Sequence, residues 1–216
     1  MSSGQTIMQE LAVKLEKGDA DSVKSLTNQA LSDKMTAEDI LNQGLVAGMN
    51  VIGEKFKNNE IFIPEVLIAA RAMKAGMEII KPLLAEANVE SRGRVMIGTV
   101  KGDLHDIGKN IVSMMLEGAG FDVINLGTDV SVDKIVEHIE QDKPDVIGLS
   151  ALLTTTMVYM ADVVKALREK NITDVKVIIG GAPITQNYAE EIGADGYAPD
   201  AASAVDLVKD ILNIAQ

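Results

Sequence analysis

From about residue 94 onward the chain alternates short Val/Ile-rich runs with longer amphipathic ones, and nothing else in it narrows the possible folds as far. The apolar runs cover 94–100, 121–126, 145–149 and 175–179, with a shorter one at 196–198. Helical patterns follow at 108–117, 132–141, 156–170, 185–192 and 201–213. Near-continuous apolar strands separated by helices make a parallel sheet covered on both faces. Five such units predict an α/β domain of the flavodoxin-like, Rossmann type over residues 93–216, with strand order 2-1-3-4-5. In that order the first, third and fourth strands are neighbours, and their following loops meet at one edge, where such sheets hold ligands. Those loops read Gly102-Asp103-Leu104-His105-Asp106-Ile107-Gly108, Ser150-Ala151-Leu152-Leu153-Thr154-Thr155-Thr156, and Gly180-Gly181-Ala182-Pro183.

Residues 1–88 read as helices only. Met8, Leu11 and Leu15 share a face, and Gly18 ends the segment. Val23, Leu26 and Ala30 repeat the spacing after Asp19, a suitable cap. Thr36 to Asp39 resembles a capping box, with Met35 and Ile40 as its staple. Leu41, Leu45, Met49, Ile52 and Phe56 form a third stripe. Pro64 suits the first turn of a fourth helix, along which Val66, Ala70, Met73, Met77, Ile80 and Leu84 form a seam. Pro82 is expected to kink or end that helix near Lys81. Four amphipathic helices with short connections imply an antiparallel four-helix bundle. The fourth also carries small residues, Ala69, Ala70, Ala72, Ala75 and Gly76. These suit either close helix packing or a flat platform for a large ligand. The polar stretch 88–93 is the expected domain boundary and hinge.

Composition excludes several functions. Thirty-two acidic against twenty basic residues give a net charge of −12, which opposes binding to a nucleic-acid backbone. Three Tyr, three Phe and no Trp leave little for stacking on bases. There is no Cys, hence no disulfide or thiol chemistry. No apolar run approaches a membrane span, and no signal peptide is read at the N-terminus. The expectation is a soluble, cytoplasmic protein without nucleic-acid or membrane partners.

One of the two histidines, His105, sits in the first loop with a carboxylate two residues before it and a glycine three residues after it. A neutral imidazole binds a transition metal through one nitrogen and needs an acceptor at the other to fix its tautomer. Asp103 can be that acceptor, and Gly108 would let a bulky ligand approach the backbone. A surface histidine in a polar turn, with Asp103 or Asp106 capping the helix, fits the same residues. One His without Cys cannot build a protein-only zinc site, so a metal here would arrive inside a cofactor. The other histidine, His138, lies between Glu137 and Glu140 and reads as an exposed surface residue; Lys101 and Lys109 read as solvated.

Together these blocks resemble the cobalamin-binding module of methionine synthase and the corrinoid proteins of anaerobic methyltransferase systems. The shared motif is Asp-x-His-x-x-Gly, then Ser-x-Leu, then Gly-Gly. Here 41 residues separate Gly108 from Ser150, and 27 separate Leu152 from Gly180, in keeping with the family's spacing. The Phe62-Ile63-Pro64 segment stands where the helical cap of methyl-transferring members carries a similar run.

The resemblance implies a cobalamin cofactor (methylcobalamin or a related corrinoid), with His105 as the lower axial ligand to cobalt. It implies that Asp103 hydrogen-bonds the imidazole and Ser150 extends that relay. Gly102, Asp106 and Ile107 would complete the loop under the ring. Gly108, Leu152, Gly180 and Gly181 would line a slot for the cofactor's nucleotide tail, with Thr154 and Tyr197 beside it. Phe62, Ala69, Ala72 and Met73 would face the methyl-bearing side. The implied function is a methyl carrier: a substrate-specific methyltransferase loads cobalt, and a second methyltransferase passes the methyl group to tetrahydrofolate or coenzyme M. A reductive activase would be a third partner. The donor, whether a methylamine, methanol, a betaine or a methoxylated aromatic, would be chosen by the partner, so the chain reads as a carrier subunit rather than a complete enzyme. Competing readings are the small subunit of an adenosylcobalamin-dependent mutase, which lacks the helical cap, a cobalamin-sensing regulator, and a domain of this fold without cobalamin.

Overall fold

The computed structural model describes residues 3–87, 89 and 91–214. They divide into two compact units. One takes the described residues up to Ser91 together with Glu117–Gly120, and the other takes Arg92–Leu116 and the described residues from Phe121 on. Asn88 and Glu90, part of the expected boundary and hinge, lie outside the described residues.

The helical unit contains α1 (Ser3–Glu16), α2 (Ala20–Ser32), α3 (Ala37–Asp39), a π-helical segment Ile40–Val46, α4 (Ala47–Lys57) and α5 (Ile63–Glu86). Asp19 caps α2 by accepting from the Ser22 amide at 3.1 Å, and Thr36 caps α3 by accepting from Asp39 at 3.0 Å. The segment from α3 to α4 is continuous, and its π turn changes which residues face inward. Ile40, Val46, Met49 and Ile52 are buried with Leu45, whereas Leu41 and Phe56 are only half-buried. Helices approach closely where side chains are missing: a Cβ on Gly76 would press on Leu45 and Val23, and one on Gly48 on the backbone of Ala12. Pro82 does not end α5, which runs on to Glu86. The proline is exposed, while Ile80 and Leu84 on either side of it are buried. Burial of each such side chain favours folding by about 1.5–3 kcal/mol, enough to offset much of the lost backbone bond.

The second unit is a five-stranded parallel sheet of β1 (Arg94–Thr99), β2 (Asp122–Asn125), β3 (Val146–Ser150), β4 (Lys176–Gly180) and β5 (Gly196–Tyr197), in order β2-β1-β3-β4-β5. This is the order expected from the sequence. The helices are α6 (Ile107–Gly118), α7 (Val132–Asp142), α8 (Val158–Glu169), α9 (Gln186–Ile192) and α10 (Ala201–Ile211). Met96, Ile147, Leu149, Val177 and Ile179 form one core with Ile135, Val136 and Ile139 of α7 and Met160, Val163 and Leu167 of α8. The alternate strand residues Val95, Ile97, Val146 and Ile178 are buried too, so both side-chain sets of the strands avoid water, as parallel pairing requires. His138 is half-buried rather than free on the surface, its Nδ1 2.9 Å from Asp142 Oδ2 one turn on.

Register places the ends of β1, β3 and β4 side by side: Thr99 pairs with Ser150, and Ser150 with Gly180. Just beyond, Gly181 adopts φ +135°, and a Cβ there would fall inside the carbonyl oxygen of Ala151. Gly108 is the opposite case, since a Cβ there meets nothing within 4 Å. Gly181→Ala is therefore expected to lower stability by more than about 2 kcal/mol in urea unfolding, while Gly108→Ala leaves it unchanged within about 1 kcal/mol.

Candidate functional site

Asp103 is fully buried in the loop after β1, and its carboxylate collects donors from two loops. Oδ1 accepts from the His105 amide at 3.1 Å and lies 2.8 Å from His105 Nδ1. Oδ2 accepts from the Leu152 amide at 2.8 Å, the Leu153 amide at 3.3 Å and the Thr156 hydroxyl at 2.7 Å. Thr156 could also donate to the Leu153 carbonyl at 3.0 Å, but the charged, closer oxygen is the stronger acceptor. Burial alone would push this carboxyl up, yet the hydrogen bonds from Thr156, Leu152 and His105 outweigh it and hold the group well below the ordinary carboxylate range.

An ionised carboxylate only accepts, so Nδ1 of His105 must carry the ring proton. The lone pair of Nε2 is then free for a metal. The imidazole is half-exposed while its anchor is sealed: side-chain exposure is 52% for His105 and 0% for Asp103. The His105 carbonyl is also held, accepting from the buried Thr99 hydroxyl at 2.9 Å. The same loops carry apolar side chains left in water, with Leu104 73% and Ile107 72% exposed and Leu152 and Leu153 also exposed, as is Val158 at the start of α8. Exposed apolar groups on the loops that hold one open nitrogen suit a large, mostly apolar ligand. Among the described residues no three His, Cys, Asp or Glu side chains come together to hold a bare ion. The donor set therefore fits a metal already held by a macrocycle, to which His105 would add one nitrogen.

The other expected positions divide. The hydroxyl on Asp103 comes from Thr156, not from Ser150, which sits in the last position of β3 with its carbonyl accepting from Val100 at 3.0 Å. Leu152 contributes its amide to the carboxylate and its side chain to the apolar rim. Asp106 is exposed, accepting from Asn110 Nδ2 at 3.0 Å in the first turn of α6. Thr154 is exposed on the loop after β3. Tyr197 pairs with Ile179, one residue short of Gly180, and its ring is partly packed on the sheet core. In the helical unit, Phe62 is exposed at the N-cap of α5, whereas Ala69, Ala72 and Met73 are buried.

Three contributors were not foreseen. Thr156 was visible only as the last of a run of hydroxyls. Lys109, expected in solvent, is 3% exposed, its Nζ donating to Asn110 Oδ1 and Asn125 Oδ1, both at 2.7 Å. Burial draws its pKa down, against the opposing charge of Asp106. Asp129 holds the His105 loop from the far side of β1, and no local pattern marks it. Lys101 remains exposed, with its ammonium 6.0 Å from the centre of the Tyr159 ring.

Fold and site thus define a ligand-binding α/β module that presents one oriented imidazole at the carboxyl edge of a parallel sheet, preceded by a helical unit. Comparison with known proteins agrees on both parts. Residues 93–206 match a B12 binding domain, and residues 7–81 match a second B12 binding domain model. The chain is 43% identical over 212 residues to dimethylamine corrinoid protein 1 of Methanosarcina acetivorans, covering 97% of this chain and 99% of that one. It is 42% identical over 211 residues to a corrinoid protein of Desulfitobacterium hafniense, covering 96% and 98%. Among solved structures, the methanol:cobalamin methyltransferase complex MtaBC of Methanosarcina barkeri superposes with a TM-score of 0.88 at 29% identity, over 98% of this chain and 81% of that one. A cobalamin-binding protein of Desulfitobacterium hafniense gives 0.79 at 32% identity, over 94% and 98%. The chain belongs to the B12-binding family of corrinoid proteins. The likeness extends through the helical unit, which disfavours the mutase small-subunit reading.

Two outcomes test the carboxylate. Asp103 has a folded pKa below its unfolded value, so its contribution is complete above about pH 4 and drains away as pH falls further. The acid limb of a stability–pH curve is expected to flatten in Asp103→Asn. Thr156→Val is expected to cost about 1.5–3 kcal/mol in urea unfolding, the range for a hydrogen bond to a charged group, with Thr156→Ser recovering most of it.

Proposed function

We propose that this chain is a corrinoid methyl carrier, binding its cofactor with His105 as the lower ligand and working between two methyltransferases. The observation that carries the reading is the imidazole itself, tied at Nδ1 to a buried, ionised Asp103 and open at Nε2. The full-length likeness to dimethylamine and trimethylamine corrinoid proteins, and to a methanol:cobalamin methyltransferase complex, supports the methyl-transfer assignment. When bound, the corrinoid supplies a cobalt centre that accepts and releases a methyl group.

The protein's part is positional and electrostatic. Asp103 aims the ring and keeps the Nδ1–H tautomer. Thr156 and the Leu152 amide keep the carboxylate ionised while it does so. Leu104, Ile107, Leu152 and Leu153 offer exposed apolar surface to the ring system. Gly108 leaves room for the nucleotide tail, with Ser150, Thr154, Gly180 and Tyr197 as candidate neighbours, whereas the space at Gly181 is taken by the Ala151 carbonyl. The loading partner is a methyltransferase that recognises the donor. The unloading partner transfers to tetrahydrofolate or coenzyme M, and a reductive activase restores inactive protein.

The test is spectroscopic. The protein with cobalamin is expected to keep the absorption spectrum of nitrogen-ligated cobalt under acid conditions that leave the free cofactor base-off, because the imidazole replaces the cofactor's own base. In the cobalt(II) form, an electron paramagnetic resonance nitrogen splitting should change when histidine is labelled with 15N. His105→Ala is expected to keep its fold and lose that splitting. A labelled wild-type protein whose splitting does not respond sinks the assignment.

A further inference from the structure

The segment after β2 is bound edge to edge with the ligand loop. Thr99 donates its amide to the Gly127 carbonyl at 3.0 Å, Val130 donates to the Thr99 carbonyl at 3.0 Å, and Val100 and Val130 form a parallel bridge. At the centre stands Asp129, with φ +53°, a left-handed conformation that Asp and Asn tolerate better than most side chains. This turn aims both of its polar groups at the neighbouring loop. Asp129 Oδ1 accepts from the Gly102 amide at 2.7 Å, and the Asp129 amide donates to the Asp103 carbonyl at 3.0 Å. The amide of Asp103 is itself bonded to the Val100 carbonyl at 3.1 Å. The main chain is therefore held on both sides of the Asp103 Cα, leaving its side chain one direction in which to point.

We propose that Asp129 is a positioning residue for the cobalt-ligating histidine, fixing the Asp103 backbone so that the carboxylate and the imidazole on it are set before ligand arrives. The inference rests on the function proposed above, since it takes His105 as the axial ligand. It adds that the aim of the ring is set from a loop that contains none of the family's motif residues. Asp129 touches neither the imidazole nor, on this account, the cofactor, so its effect passes through Asp103.

Three substitutions separate the contributions. Asp129→Asn keeps an oxygen acceptor for Gly102 and suits the left-handed turn. Asp129→Gly keeps the backbone conformation and its amide donor but removes the acceptor. Asp129→Ala removes the acceptor and strains the turn. With methylcobalamin as probe and the full chain, Asp129→Gly and Asp129→Ala are expected to bind about tenfold more weakly, in the range for groups that orient a metal ligand. Their 15N-histidine splitting in the cobalt(II) form should be reduced, and Asp129→Asn should stay close to wild type. Affinity and splitting unchanged in Asp129→Gly overturn the proposal, as does an Asp129→Asn as impaired as Asp129→Ala. A wild-type chain without histidine-dependent splitting overturns the proposed function instead. Amide exchange in the ligand-free chain tests the positioning separately: Asp129→Gly should speed exchange at Gly102 and His105 about tenfold. Unaltered exchange at His105 overturns the inference whatever the ligand does.

Discussion

One buried negative charge underlies the site. A carboxylate taken out of water is costly unless its oxygens are satisfied, and Asp103 is satisfied by His105, Leu152, Leu153 and Thr156. Those donors belong to the loops after β1 and β3, so the charge that orients the imidazole also binds the two loops together. Removing the charge would release both effects at once. The arrangement also explains why the ring can be half-exposed and still oriented: the carboxylate that Nδ1 is bonded to is sealed inside the protein.

The parallel sheet makes this economy of residues possible. Hydrogen bonding in register brings Thr99, Ser150 and Gly180 to the same level, so the residues that follow emerge together. From there the loops differ in what they tolerate. Gly181 is required by the protein's own backbone, because Ala151 occupies the space a side chain would need. Gly108 is not required by any internal contact. Two glycines of one sequence motif thus answer different demands, one to the fold and one to whatever lies outside it.

Much of this was readable in the chain. The alternation of Val/Ile runs with helical stripes was enough for the strands, their order and the edge where the loops converge, because burial on both faces leaves a strong compositional trace. The pairing of Asp103 with His105 was readable because it is local. What could not be read depends on distances across the sheet. Spacing places Ser150 and Thr156 in one loop but does not say whose hydroxyl turns toward Asp103, since that is decided by the turn entering α8. Lys109 looks like any surface lysine until β2 brings Asn125 beside it. Pro82 carries a strong local signal to stop a helix, and the buried residues around it override that signal.

The open space at Gly108 has a practical side. The chain contains no cysteine, so a thiol introduced there would be unique. Nothing within 4 Å would hinder its Cβ. That thiol would lie three residues from the imidazole, and a small alkylating reagent would reach it only while the space is empty, so its rate of modification would report whether the slot is filled.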